Sequence, residues 1–147
     1  MLAWSQAGAL GVVCTRMEAV DVAPDHLCWM NGVGHFGWYY SKDDVALYIH
    51  TYGKLPSNYI TKDEAEALGW TGGSVQKYKE GAAIGGTYFG NYEGLLPKKN
   101  GRKYYECDID TDGKSSRGTK RIIYSNDGLI YYTDDHYESF TLLYGEP

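Results

Sequence analysis

The sequence predicts an α+β fold in which helices come first and an antiparallel sheet follows. Up to Gly81 the segments read as capped helices, with side-chain acceptors set ahead of apolar runs. Beyond Gly81 the apolar period changes to two, as in half-buried strands. Asn126-Asp127-Gly128 adds a tight-turn signal between two such runs. Helices grouped ahead of a run of strands place them on one face of the sheet.

The first helix is read from SKDDVALYIHTYG. Ser41 is the N-cap, acids fill the first turn, and Gly53 is the stop. Val45, Leu47, Tyr48, Ile49 and Tyr52 lie toward one side. The second opens on a capping box, Thr61 with Glu64, turns Ala65 and Leu68 inward and ends at Gly69. A third short helical turn is expected from Ser74 to Glu80. Strands are expected from Ile84 to Phe89, from Lys103 to Ile109, on either side of the Asn126 turn, and from Glu138 to Leu143.

The 147 residues suit one domain with an appended arm. The domain is expected over 41–147, and 1–40 reads as an irregular arm, leader or linker with a short helix near Ala9 to Met17. The apolar start lacks the Lys or Arg that should precede a secretory signal, so no clear signal peptide is read. No apolar run reaches the length of a membrane span, and no membrane partner is expected. Cys14, Cys28 and Cys107 are not spaced as a zinc site. Cys14 and Cys28 could bridge in an oxidising compartment, leaving Cys107 free.

A net charge of −5 means that any nucleic-acid function must rest on a local basic patch. One exists: from Lys98 to Arg121 there are eight Lys or Arg against four acids. Such a run is usually a solvated loop. Arg117 and Arg121, however, flank the start of a strand, where guanidinium forks could hold a phosphate. Alternation along KYYECDID puts Tyr104, Glu106 and Asp108 on an outward face, and Tyr105, Cys107 and Ile109 on the core side. A carboxylate at Glu106 and an imidazole at His136, in TDDHYESFT, can supply a base and an acid near neutral pH. Cations between them would stabilise a dianionic phosphorane. RNA brings its own 2′-hydroxyl nucleophile, so no metal or other cofactor is expected.

YIHTYGKLPSNYITKDEAEALGW, IGGTYFGNYEGLLP, GRKYYECDID and RIIYSNDGLIYYTDDHYESFT closely resemble the barnase-like, guanyl-preferring microbial ribonucleases. The resemblance runs from about Ser41 to Tyr144 and leaves 1–40 outside. It implies two to three N-terminal helices packed on a five-stranded antiparallel sheet. It implies Glu106 as the general base, His136 as the general acid, and a 2′,3′-cyclic phosphate as the first product. Arg117 and Arg121 match the arginines on the scissile phosphate, Lys62 an active-site lysine, and Tyr137 a tyrosine lining the site. FGNYEG matches the guanine-reading loop at Phe89, Asn91 and Glu93. Gly90 and Tyr92 stand where the family has serine and arginine, and Tyr92 could stack on the base instead.

The reading is therefore a metal-independent endoribonuclease acting on single-stranded RNA, monomeric, secreted or delivered as part of a toxin, with a barstar-like inhibitor or immunity protein as partner. A non-catalytic RNA- or protein-binding module on the same fold is the alternative.

Overall fold

The structure, a computed structural model, describes residues 37–147. The helix expected near Ala9 to Met17, the Cys14–Cys28 question and nearly all of the arm lie outside the described residues.

The elements run α1 (Lys42–Tyr52), β1 (Tyr59–Ile60), α2 (Lys62–Ala67), β2 (Ala83–Phe89), β3 (Tyr104–Asp108), β4 (Arg121–Ser125), β5 (Ile130–Thr133) and β6 (Thr141–Tyr144). All six strands form one sheet in chain order. The strands β2 to β6 are antiparallel neighbours, and β1 pairs parallel with β2. The sheet thus has six strands where five were expected. A two-residue strand, wedged between Pro56 and the Thr61 cap, is too short to show a period.

Helix α1 starts where Ser41, in extended backbone, accepts the Asp44 N–H at 3.2 Å. It stops at Gly53, whose φ of 73° is cheap only for a residue without a Cβ. Val45, Ala46, Tyr48 and Ile49 are buried, Leu47 is half-buried and Tyr52 is exposed, so the apolar stripe is narrower than expected. Helix α2 has the full capping box: Thr61 Oγ1 accepts the Glu64 N–H and Glu64 Oε1 accepts the Thr61 N–H. Leu68 does not face inward. It is the C-cap residue and is exposed, and after the left-handed Gly69 the buried Trp70 takes the core position. Two helices, not three, are found among the described residues. Between Ser74 and Glu80 the chain makes turns in which Tyr78 and Lys79 both donate to the Val75 carbonyl. The left-handed glycines 72 and 73 break the chain just ahead of it.

Both faces of the sheet are buried. On one, Cys107, Ile122 and Ile130 pack against Val45, Ala46 and Ile49 of α1. On the other, Tyr104, Ile123, Leu129 and Tyr131 pack with Leu96. A third cluster joins Ala65, Trp70 and Val75 to Ile84. The face carrying Glu106 is therefore not simply outward: Tyr104 and Asp108 are buried there. The cause is the β2–β3 loop, which folds back so that Leu96 covers that face. Cys107 is buried and free, a small apolar side chain. Strand β6 starts at Thr141, not at Glu138. No helix among the described residues is long and apolar enough to cross a membrane.

Thr61→Ala removes the acceptor of the Glu64 N–H, one bond of the reciprocal pair at an exposed helix start. The expected loss is about 1 kcal/mol of unfolding free energy, read from urea titrations of the two proteins.

Candidate active site

Glu106 sits mid-strand in β3, in register with Thr87 of β2 and Ile123 of β4. Its side chain is only 15% exposed. Its Oε1 accepts the Tyr137 hydroxyl and lies 4.0 Å from Arg121 Nε. Burial, and then the bond to Glu106, push the Tyr137 phenol up to about 12. Tyr137 is thus a donor to the carboxylate throughout the neutral range.

The next inward residue on the same face, Asp108, is 2% exposed and organises both arginines. It accepts from Arg117 Nε at 2.7 Å and from Nη2 at 2.9 Å, a two-pronged pair. Strand register sets Asp108 opposite Arg121. Arg121 Nε is 3.2 Å from Asp108 Oδ1, but no directed hydrogen bond joins them. It is the one buried side-chain nitrogen or oxygen among the described residues without a hydrogen-bond partner. Arg121 Nη1 is held by the carbonyls of Lys120, at 2.8 Å, and Arg117. Arg117 also lies over Trp70, 5.9 Å from the ring centre, and its bond to Asp108 raises its pKa further. Elsewhere in the basic run Arg102 pairs with Asp127 and Lys120 with Asp110.

His136 lies in the loop after β5. Its φ is 57° and that of Tyr137 is 79°, left-handed backbone at two consecutive side-chain-bearing residues. Each such residue costs about 1–3 kcal/mol and persists only where neighbours over-determine it. Here the His136 N–H donates to the Thr119 carbonyl at 3.2 Å. The Tyr137 N–H donates to Thr133 Oγ1 at 3.1 Å. The Asp135 carboxylate accepts from Thr133 Oγ1, the Glu138 N–H, and both the N–H and the hydroxyl of Ser139. These bonds, led by Ser139, lower Asp135 to about 2. Residues 138–140 serve this clasp, which is why the last strand begins late.

Lys62 is the first residue of α2 and half-buried. A side-chain carbon added at Gly86 would meet the Thr61 methyl at 3.6 Å. The start of α2 therefore abuts β2 one residue from Thr87, the partner of Glu106.

In the loop after β2, the Phe89 ring stacks on Tyr137 with centroids 5.6 Å apart. Asn91 is buried with φ of 54°, and its amide makes two bonds to the Leu96 backbone, 2.8 and 3.1 Å. Its side chain is spent on shaping the loop. The Tyr92 ring lies where a Cβ on Gly90 would be, at 2.2 Å. Tyr92 itself is 91% exposed, and Glu93 is exposed beside it. Asp108 as an anchor, and Thr119, Thr133, Asp135 and Ser139, are not singled out by sequence alone. A signal for Asp108 was present: alternation put it on the Glu106 face, close to two arginines. Among the described residues no group of three or more His, Cys, Asp or Glu is placed to hold a metal.

A family model described as ribonuclease matches residues 42–144. A ribonuclease of Bacillus intermedius is 46% identical over 101 residues, covering 67% of this chain and 62% of its own length. A ribonuclease of Heyndrickxia coagulans is 46% identical over 100 residues, covering 67% of this chain and 91% of its own. The guanyl-specific ribonuclease St of Saccharopolyspora erythraea is 42% identical over 57 residues, covering 39% of this chain and 56% of its own. The chain thus spans somewhat under two thirds of the Bacillus relative it matches.

Asp108→Ala leaves one buried and one half-buried guanidinium without their carboxylate. It should cost about 3–5 kcal/mol of stability in urea unfolding, more than truncating a surface acid. The clasp gives a pH signature. The folded pKa of Asp135, about 2, lies below its ordinary 3.8. Its contribution is therefore complete above about pH 4 and is lost as pH falls toward 2. Asp135→Asn should flatten the fall in Tm across that window, measured by circular dichroism.

Proposed function

The chain belongs to the ribonuclease family, and we propose that its site cleaves single-stranded RNA 3′ of guanine by transesterification, without a metal. The observation that carries the reading is the Tyr137 hydroxyl bound to Glu106. It ties the His136 loop to the carboxylate, beside a buried arginine with a donor to spare.

Glu106 takes the proton of the 2′-hydroxyl. The 2′-oxygen attacks phosphorus, the bond from phosphorus to the 5′-oxygen breaks, and His136 gives its proton to the departing oxygen. The products are a 2′,3′-cyclic phosphate and a free 5′-hydroxyl. In hydrolysis His136 takes a proton from water and Glu106 returns one to the 2′-oxygen, leaving a 3′-phosphate. The Arg121 guanidinium, set beside Glu106 and Asp108, would place its positive charge next to a phosphate, and the outer edge of Arg117 suits a phosphoryl oxygen. Lys62 adds a cation at a helix start, where only a nearby anion makes a cation welcome.

Guanine would be read by the backbone amides of Gly90 to Tyr92 and by the Glu93 carboxylate, in a loop braced by Asn91. Phe89 forms the floor against Tyr137. Tyr92 offers an exposed ring in place of the family arginine. A monomer, secretion or toxin delivery, and a barstar-like inhibitor that sets acids against the arginines complete the proposal.

RNA incubated with the protein in excess EDTA should be cut to cyclic-phosphate ends, with a bell-shaped pH profile. Intact RNA at micromolar protein overturns the reading in favour of a binding module. Glu106→Ala and His136→Ala should each lower kcat about 10²–10⁴-fold. Tyr92→Ala should raise KM roughly tenfold on guanine and adenine dinucleotides alike, because stacking, about 1–3 kcal/mol, is indifferent to the base. Glu93→Ala should remove the preference between them.

A further inference from the structure

The general acid proposed above stands on backbone that a histidine and a tyrosine adopt only under constraint, and the constraint has a single hub. The Asp135 carboxylate closes a small ring of bonds. Its Oδ1 accepts the Thr133 hydroxyl at 2.8 Å, the Glu138 N–H at 3.1 Å and the Ser139 N–H at 2.9 Å. Its Oδ2 accepts the Ser139 hydroxyl at 2.6 Å. Thr133 is 1% exposed and lies in register with Arg121. Its hydroxyl hydrogen is committed to Asp135, which turns the oxygen lone pairs toward the Tyr137 N–H. Tyr137 in turn holds Glu106 through its phenol. A linked path therefore runs from Asp135 through the Thr133 hydroxyl to the Tyr137 backbone, and through the tyrosine side chain itself to the carboxylate of β3. The same carboxylate fixes the residues immediately before and after the pair 136–137, and so their left-handed φ angles.

We propose that Asp135, which touches no substrate, is a positioning residue that sets the His136 imidazole and the Glu106 carboxylate at the spacing transesterification needs. The hydroxyl of Thr133 is its relay, and the inference rests on the ribonuclease reading. Asparagine keeps an accepting oxygen for three of the four bonds, whereas alanine keeps none. Misplacement of a reacting group by about 1 Å costs on the order of 10²-fold in rate. The loss should fall mainly on kcat, because the Arg117–Asp108 pair and the Asn91–Leu96 bonds that brace the loop after β2 do not pass through Asp135.

The test compares wild type, Asp135→Ala, Asp135→Asn, Thr133→Val and Thr133→Ser on a guanine dinucleotide. Each is assayed well below its own Tm, with folding checked by circular dichroism. Asp135→Ala and Thr133→Val should lose about 100-fold in kcat with KM within about threefold. Asp135→Asn and Thr133→Ser should recover to within about tenfold of wild type. A folded Asp135→Ala or Thr133→Val with near wild-type kcat overturns the proposal. So does an asparagine or serine variant as slow as its partner, and so does a loss confined to KM. Should Asp135→Ala not fold, the Thr133 pair decides by the same criteria. An inactive wild type instead overturns the ribonuclease reading itself, so the two failures are distinguishable.

Discussion

Asp108 is the point on which the rest of the site depends. A carboxylate that is 2% exposed is costly unless it is paired and hydrogen-bonded. Here the two-pronged bond from Arg117 and the close approach of Arg121 supply that compensation. The arrangement follows from strand register. Asp108 and Arg121 are paired residues on β3 and β4, and Glu106 is one alternation further along the same face. Once the β3–β4 ladder forms, Arg121 is delivered beside the candidate base, and Asp108 holds Arg117 from the connecting loop in the same cluster. A cation that is already ordered loses less entropy on meeting a phosphate than a free surface lysine does. This explains how a chain of net charge −5 can still present a positive site: the charge is local, oriented and partly desolvated.

The second half of the site is built on the opposite principle. Glu106 is held by regular sheet, whereas His136 and Tyr137 are held by irregular backbone under strain. A loop in that conformation would relax if its bonds were few. The Thr119 carbonyl, the Thr133 hydroxyl and the Asp135 carboxylate together provide six directed bonds around four residues. The Tyr137 hydroxyl then joins loop to sheet at Glu106. Strained geometry can persist there because the rigid β4–β5 pairing supports both Thr133 and the arginine opposite it.

What the sequence reveals and what it hides divide along the same line. The Ser41 cap, the Thr61–Glu64 box and the Asp127-Gly128 turn are local devices, complete within four residues, and they are legible. The inward position of Leu68 fails because a C-cap geometry, decided by Gly69, hands the core to Trp70. The turn expected over Ser74 to Glu80 is present as a single turn on the Val75 carbonyl and does not extend into a helix; the left-handed Gly72 and Gly73 lead into it past the Ser115 carbonyl, which accepts the Ser74 N–H. Alternation orders β3 correctly but cannot say that both faces are covered, since that depends on how the preceding loop folds back to bring Leu96 onto the sheet. In the site, the charged residues announce themselves by type. Asp108 and Asp135 do not, because their importance lies in partners nine and four residues away whose side chains converge only after folding.

The guanine loop shows how a departure from a family pattern can be internally consistent. Tyr92 places its ring over position 90, and any Cβ there would lie 2.2 Å from it. The two departures touch: the exposed Tyr92 ring occupies the space that a side chain at position 90 would share. Asn91 between them keeps both amide bonds to Leu96, so the loop backbone does not need to move. An arginine at position 92 would add a charge suited to a phosphate or a purine edge, whereas the tyrosine offers a π-face to whichever base arrives. Under the proposed reading, the backbone and Glu93 would discriminate between bases while the ring would add affinity without choice, so that the two properties would fall to different residues of one six-residue loop.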